Sequence, residues 1–108
     1  MDKNTLEKMA TSAFQNVQAA RDELFTAAEM TISSNETLEN AKKEAALSGK
    51  LDGKNAEMRE AQAHDLLSLQ FDAVTIDARH ERATRYKFDK AQIEVDTVKT
   101  LLRIAELP

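Results

Sequence analysis

The chain contains no cysteine and no tryptophan, only two glycines, and a single proline that is its last residue. Without cysteine there is no disulfide scaffold and no thiolate zinc site, a usage that suits a reducing compartment. With so few helix breakers, long stretches can run as uninterrupted helix. Aromatic residues are 5% of the chain, so any core is built from Leu, Ile, Val, Met and Ala. No apolar run approaches the length needed to span a bilayer, and Met1-Asp2-Lys3-Asn4-Thr5-Leu6-Glu7 has no apolar stretch of the signal-peptide kind. The expected location is therefore the cytoplasm.

What is present is helical in character. Apolar residues are 42% and charged residues 31% of 108, with Ala, Leu, Glu, Lys and Arg dominant. The net charge is −4. Residues 1–54 hold seven basic and nine acidic groups, and residues 55–108 hold eight and ten. An acidic balance with no basic half argues against general nucleic-acid affinity, which needs many phosphate contacts.

The two glycines, Gly49 and Gly53, sit four residues apart at the midpoint. Gly49 falls where a helix end favours positive φ, with Leu51 placed to fold back on that end. Asp52 and Asn55 are both suited to cap the helix that follows. This predicts a single domain, 1–108: a first arm over about 4–48, a turn over 49–54 and a second arm over about 55–106. If unbroken, the second arm would run roughly 75 Å.

In the first arm, Asn4 with Glu7 has the spacing of a capping box. Leu6, Met9, Ala10, Ala13, Phe14, Val17, Ala20, Leu24 and Ala28 then follow at helical steps. Phe25 and Ile32 lie off the middle of that stripe and widen it. Ser33 and Glu36 repeat the capping-box spacing, which predicts a kink or short break near Ser33–Asn35. The second arm carries Met58, Ala61, Leu66, Leu69, Ala73, Ile76, Ala83, Tyr86, Ala91, Val95, Val98, Leu102 and Ala105 as its stripe. Between Asp77 and Arg85 only alanine is apolar, a thin polar waist.

Several patterns bear on chemistry. Gly49-x-x-x-Gly53-Lys54-Asn55 departs from a phosphate-binding loop: three residues separate the glycines rather than four, and Asn55 stands where Ser or Thr would reach magnesium. Asp77 with His80, and Glu60 with His64, pair a carboxylate with an imidazole one helical turn apart, a spacing used in di-metal bundles. The first arm's acids lie in plainly polar contexts, so exposed ion pairs are the simpler reading, and no metal, cofactor or catalytic residue is assigned. With no cysteine and no Gly-x-Ser-x-Gly elbow, nucleophilic catalysis has nothing to build on. Asn35-Glu36-Thr37 matches a glycosylation sequon, idle without secretion. Arg79, Arg82 and Arg85, with His80 among them, form the most basic stretch and the candidate partner-binding patch. Asp77, Glu81 and Asp89 interleave with it, as on a solvated helix.

The turn Ser48-Gly49-Lys50-Leu51-Asp52-Gly53-Lys54-Asn55, continuing through Arg59 to Gln62, resembles that of small helical proteins of bacteriophages and prophages, in which Gly-x-aliphatic-x-Gly-Lys-Asn precedes a long charged helix. The stretch from Lys90 to Arg103 is similar in style to the ends of such proteins. The resemblance implies a phage-associated origin and no particular activity. In size, acidity and midpoint turn the chain is also similar to secreted helical hairpins of about a hundred residues that carry a Trp-x-Gly turn. It lacks the tryptophan, and Tyr86-x-x-x-Lys90 lacks the acid of their export signal.

Together these features predict an all-α long antiparallel helical hairpin, its first arm kinked. Two copies are expected to pack as a dimeric four-helix bundle or coiled coil. The expected function is non-catalytic binding of a protein partner, for example inhibition of a host defence or nuclease system. The alternatives are a structural or assembly accessory of a phage and, from another class, a metal-dependent bundle enzyme using Asp77 and His80.

Overall fold

A computed structural model describes residues 2–107. It is all-helical, with three helices and no strand among the described residues: α1, Lys3–Leu47; α2, Ala56–Leu66; and α3, Ser68–Ala105.

The helix ends follow from local chemistry. Asp2, rather than Asn4, caps α1: its Oδ1 accepts from the Thr5 backbone N–H at 2.7 Å and its carbonyl from Leu6 N–H at 3.2 Å. The capping box predicted at Asn4 and Glu7 is displaced by this earlier cap. The Thr5 backbone N–H, and after it the Thr5 hydroxyl, hold the Asp2 carboxyl below the ordinary carboxylate range.

The break predicted at Ser33–Asn35 is absent, and α1 runs through as continuous helix. The polar side chains there bond backward instead of capping forward. Ser34 Oγ and Asn35 Nδ2 both donate to the Thr31 carbonyl, at 3.2 and 2.9 Å, and Thr37 Oγ1 donates to the Ser33 carbonyl at 3.0 Å. Each hydrogen bond closes on the preceding turn, so these side chains are satisfied without stopping the helix.

At its C-terminus α1 closes in a Schellman motif. Lys50 N–H reaches the Ala45 carbonyl at 2.9 Å and Gly49 N–H the Ala46 carbonyl at 3.2 Å, with Gly49 at φ +76°. Asn55 caps α2, accepting from Met58 N–H at 2.8 Å. Asp52 takes another role and accepts from Gln62 Nε2 at 2.8 Å. Gln62 also accepts from Gly53 N–H at 2.9 Å through its Oε1, and Arg59 Nη1 donates to the Gly53 carbonyl at 3.0 Å. The first two turns of α2 thus clamp the loop before them. Leu51 is half-buried.

The second arm does break, although it holds no Gly or Pro. Leu67 leaves helical geometry at φ −114°, ψ 32° and separates α2 from α3. The break is one residue wide, because Leu67 N–H still reaches the Ala63 carbonyl and Phe71 N–H the Leu67 carbonyl, at 2.8 and 3.0 Å. Leu67 itself is buried, as an inner residue of its packing.

The described residues group into two units. The first joins the stretch up to Thr26 with the stretch from Arg82 onward, and the second is Ala27–Glu81. In the first, Ala13, Val95 and Val98 form a buried cluster against which Met9, Ala10, Val17 and Leu102 pack, so the early turns of α1 run antiparallel to the late turns of α3. In the second, α1 returns through the glycine turn into α2 and α3, and the Thr31 hydroxyl lies 3.3 Å from the Asp77 carbonyl.

Burial within each unit recurs at alternating steps of four and three, which is a seven-residue repeat. In the first unit the inner positions are Leu6, Ala10, Ala13, Val17, Ala20 and Leu24 against Thr84, Phe88, Ala91, Val95, Val98 and Leu102. In the second they are Ala27, Thr31, Ser34, Leu38, Ala41 and Ala45 against Ala63, Leu67, Gln70, Val74, Asp77 and Glu81. Every one of these residues is buried or half-buried.

The predicted stripes need correction here. Phe25 and Ile32 are exposed rather than part of a widened inner face, and Leu66, Leu69, Ile76 and Tyr86 are exposed as well. Counting by sevens from Val98 leads to Ala91 and Thr84. The same count from Ala63 leads to Gln70 and Asp77, so polar side chains take inner places that larger apolar neighbours were expected to fill.

Candidate interaction surface

The basic residues singled out from the sequence are divided between the units. Arg79 and His80 fall in the second and Arg82 and Arg85 in the first. All four are exposed, while Glu81 and Thr84 between them turn inward. Their exposure is what i, i+3 spacing on a solvated helix produces.

Glu60 and His64 belong to a small charged cluster on the second unit. Glu60 Oε1 lies 3.5 Å from both His64 Nε2 and Lys42 Nζ. His64 stacks on Phe71 with ring centroids 3.8 Å apart, and Lys42 Nζ sits 5.0 Å from the centroid of the same ring. A lysine ammonium on the carboxylate is the arrangement of an ion pair laid over an aromatic face. Asp77 is half-buried, and its backbone carbonyl receives the Thr31 hydroxyl. Among the described residues no group of three or more His, Cys, Asp or Glu is placed to hold a metal ion.

A groove of about 430 Å³ runs along the second unit, lined by Met30, Ser33, Ser34, Thr37, Leu69, Gln70, Ala73 and Asp77. Its helical origin is simple. Leu69, Ala73 and Ile76 follow steps of four and three, each one residue before an inner position at Gln70, Val74 and Asp77. They therefore form a second stripe adjoining the inner one. Met30, Ser33 and Thr37 form the matching stripe on α1. Leu69 is 80% and Ile76 62% exposed, so both project beside a groove whose opposite wall is Ser33 and Thr37. Asp77 is the one charged residue among those lining it.

The corresponding flank of the first unit is built from charge. Its groove, about 300 Å³, is lined by Asn16, Ala19, Ala20, Glu23, Lys87, Lys90, Ala91 and Glu94. Lys87 Nζ donates to both Glu23 oxygens at 3.0 and 3.2 Å. Exposed apolar residues of the first unit, such as Phe25, Tyr86 and Ile93, lie outside that flank.

Hydrophobic pattern missed this surface because it took Leu66, Leu69, Ala73 and Ile76 for the inner stripe. The available signal was their offset, by one residue, from a seven-residue series running back from Leu102 and Val98. The chain matches no protein-family model, no curated protein and no solved structure. Among the described residues no helix is long and apolar enough to cross a membrane.

Proposed function

We propose that this chain is a non-catalytic protein–protein interaction protein that works as a homodimer, two copies packing their helices as a coiled-coil four-helix bundle. The observation that carries this reading is the distribution of apolar residues. The buried hydrophobic residues are Leu6, Ala13, Ala20, Ala27, Leu38, Ala45, Ala63, Leu67, Val95 and Val98, half of them alanine, and no large side chain among the described residues is fully buried. Large apolar side chains stand exposed in greater number, Leu69, Ile76 and Met30 among them. Burying an exposed Leu or Ile contributes about 1.5–3 kcal/mol, so association offers this chain what its own core lacks.

The seven-residue spacing supports coiled-coil geometry, since a repeat sustained over several heptads favours left-handed supercoiling. The acidic balance supports a protein rather than a nucleic acid as any further partner. The turn's likeness to those of small phage proteins supports a phage-borne setting, in which the target is a host defence or nuclease component.

Sedimentation equilibrium at micromolar concentration tests the reading. The expected particle has twice the mass of the 12.1 kDa chain. A fully helical monomer under those conditions overturns the self-association on which it stands.

A further inference from the structure

We infer that the charge-poor flank of the second unit, the Leu69–Ile76 ridge beside the Met30–Ser33–Thr37 groove, is the surface on which a second copy of this chain docks. The inference deepens the homodimer reading and rests on it.

Three observations select this flank and this occupant. The first is charge. Charged residues are 31% of the chain, yet Asp77 alone represents them in the groove. Depletion of charge at the centre of a patch, more than bulk hydrophobicity, marks an interface. It also lets like meet like, because a two-fold interface brings the same patch to itself and a charged patch would repel. The flank of the first unit is lined by four charged residues, Glu23, Lys87, Lys90 and Glu94, and two of them, Glu23 and Lys87, are already paired with each other.

The second is relief. Leu69 and Ile76 project, while Ser33, Thr37 and Ala73 beside them are small and leave the groove open. Ridge and groove lie on one face, so a two-fold axis through that face seats the ridge of each copy in the groove of the other. Such interdigitation is how helix surfaces pack.

The third is area. The chain exposes 8039 Å². A folded monomer of its mass exposes about 6,000 Å², so the excess is about 2,000 Å². Permanent homodimers bury on the order of 1,000–2,500 Å² per copy, which that excess accommodates.

The test uses the full chain. Leu69→Lys with Ile76→Lys is compared with Tyr86→Lys with Ile93→Lys, an equally exposed pair on the first unit, by sedimentation equilibrium and far-ultraviolet circular dichroism. The expected result is a dimer weakened about a hundredfold or more by the first pair, with helicity kept, and by less than about threefold by the second. A dimer that survives the first pair, or that both pairs dissolve equally, overturns the assignment while the homodimer reading stands. A monomeric wild-type chain brings both down and leaves the flank to a different protein.

Should the first pair unfold the chain, single cysteines decide. The chain has none of its own, so Ser33→Cys, Thr37→Cys, Ala73→Cys and Ile93→Cys each report one position. Oxidation is expected to link copies through at least one of the first three, since residues near a two-fold axis come within disulfide reach of their own mates. Linking through Ile93→Cys alone, or through none, overturns the inference.

Discussion

The two units are built on the same repeat and fill it in opposite ways. In the first, the inner positions are apolar except for Thr84, and the flank is charged, with Glu23, Lys87, Lys90 and Glu94 lining it and Glu23 paired with Lys87. In the second, Thr31, Ser34, Gln70, Asp77 and Glu81 interrupt the inner positions, and the flank sets Met30, Leu69 and Ala73 among small polar residues with Asp77 as its one charge. A helix pair that turns polar side chains inward and Leu69 and Ile76 outward gives up its own cohesion for surface. The first unit reads as a self-sufficient clasp, and the second as a clasp that needs a cover. The glycine turn closes the second unit and supplies the covalent part of what its inner positions lack.

The sharpest way to break the comparison is therefore at the turn. A Cβ on Gly53 would sit 2.8 Å from Met58 Cβ and 2.9 Å from Arg59 N, backbone-anchored atoms of the first turn of α2. Gly53→Ala is expected to cost about 3 kcal/mol, because nothing at that contact can swing aside. Denaturation at fixed protein concentration reads the loss. Hydrogen exchange should localise it to amides between Ala27 and Glu81, leaving the first unit protected. Uniform loss of protection would show that the two units unfold as one.

Next in size is Val98→Ala, which opens the buried cluster of the first unit at a residue only 3% exposed. The expected cost is about 2 kcal/mol, the transfer free energy of two methyl groups plus part of a cavity. If the first unit is the self-sufficient one, this variant lowers the denaturation midpoint equally at low and high protein concentration. A loss that vanishes at high concentration would mean that this cluster, too, is completed by a second copy.

Gly49→Ala should cost about 1 kcal/mol. Its site is open, with nothing within 4 Å of an added Cβ, so the whole effect comes from holding an L-residue at φ +76°. Because strain and collision are separated between the two glycines, the ratio of the two losses sharpens the account of the turn. Equal losses would mean that Gly53 relaxes around a methyl group.

How far these features could be read from the amino-acid order depends on how locally they are decided. Gly49 and Asn55 act through hydrogen bonds spanning at most five residues, and residue chemistry alone points to both. The α1 cap lay two residues from its expected place, because Asp2 and Asn4 offer the same acceptor chemistry and helix extends to the earlier one. Ser33–Asn35 carries real capping chemistry, but the same side chains close equally well on Thr31 and Ser33 carbonyls behind them. The inward place of Ser34 favours the continuous helix. The break at Leu67 has no glycine or proline to announce it. Least legible was the register of α3, where two stripes lie one residue apart. The stripe with the larger apolar residues is the outer one, and only the facing helix decides that Gln70 and Asp77 go in. The candidate surface is hidden for the same reason, since Leu69, Ala73 and Ile76 carry the apolar spacing of a core stripe.

The smallest effect bears most directly on why the second unit tolerates polar inner positions. Thr31 Oγ1 lies 3.2 Å from the Ala27 carbonyl and 3.3 Å from the Asp77 carbonyl. A hydroxyl has one proton, so it donates to one of these at a time, and both distances are long for a hydroxyl donor. Thr31→Val keeps the β-branched shape, removes the hydroxyl and places a methyl group in the half-buried seam. Replacing so weak a bond with apolar surface is expected to stabilise the chain by about 0.5 kcal/mol. The denaturation midpoint should therefore rise slightly, without a change in helicity. A loss of about 1 kcal/mol instead would show that the Thr31–Asp77 contact locks the register of α1 against α3. The polar seam would then be a device for specificity, and the second unit would be held together by the very groups that the comparison counts as its weakness.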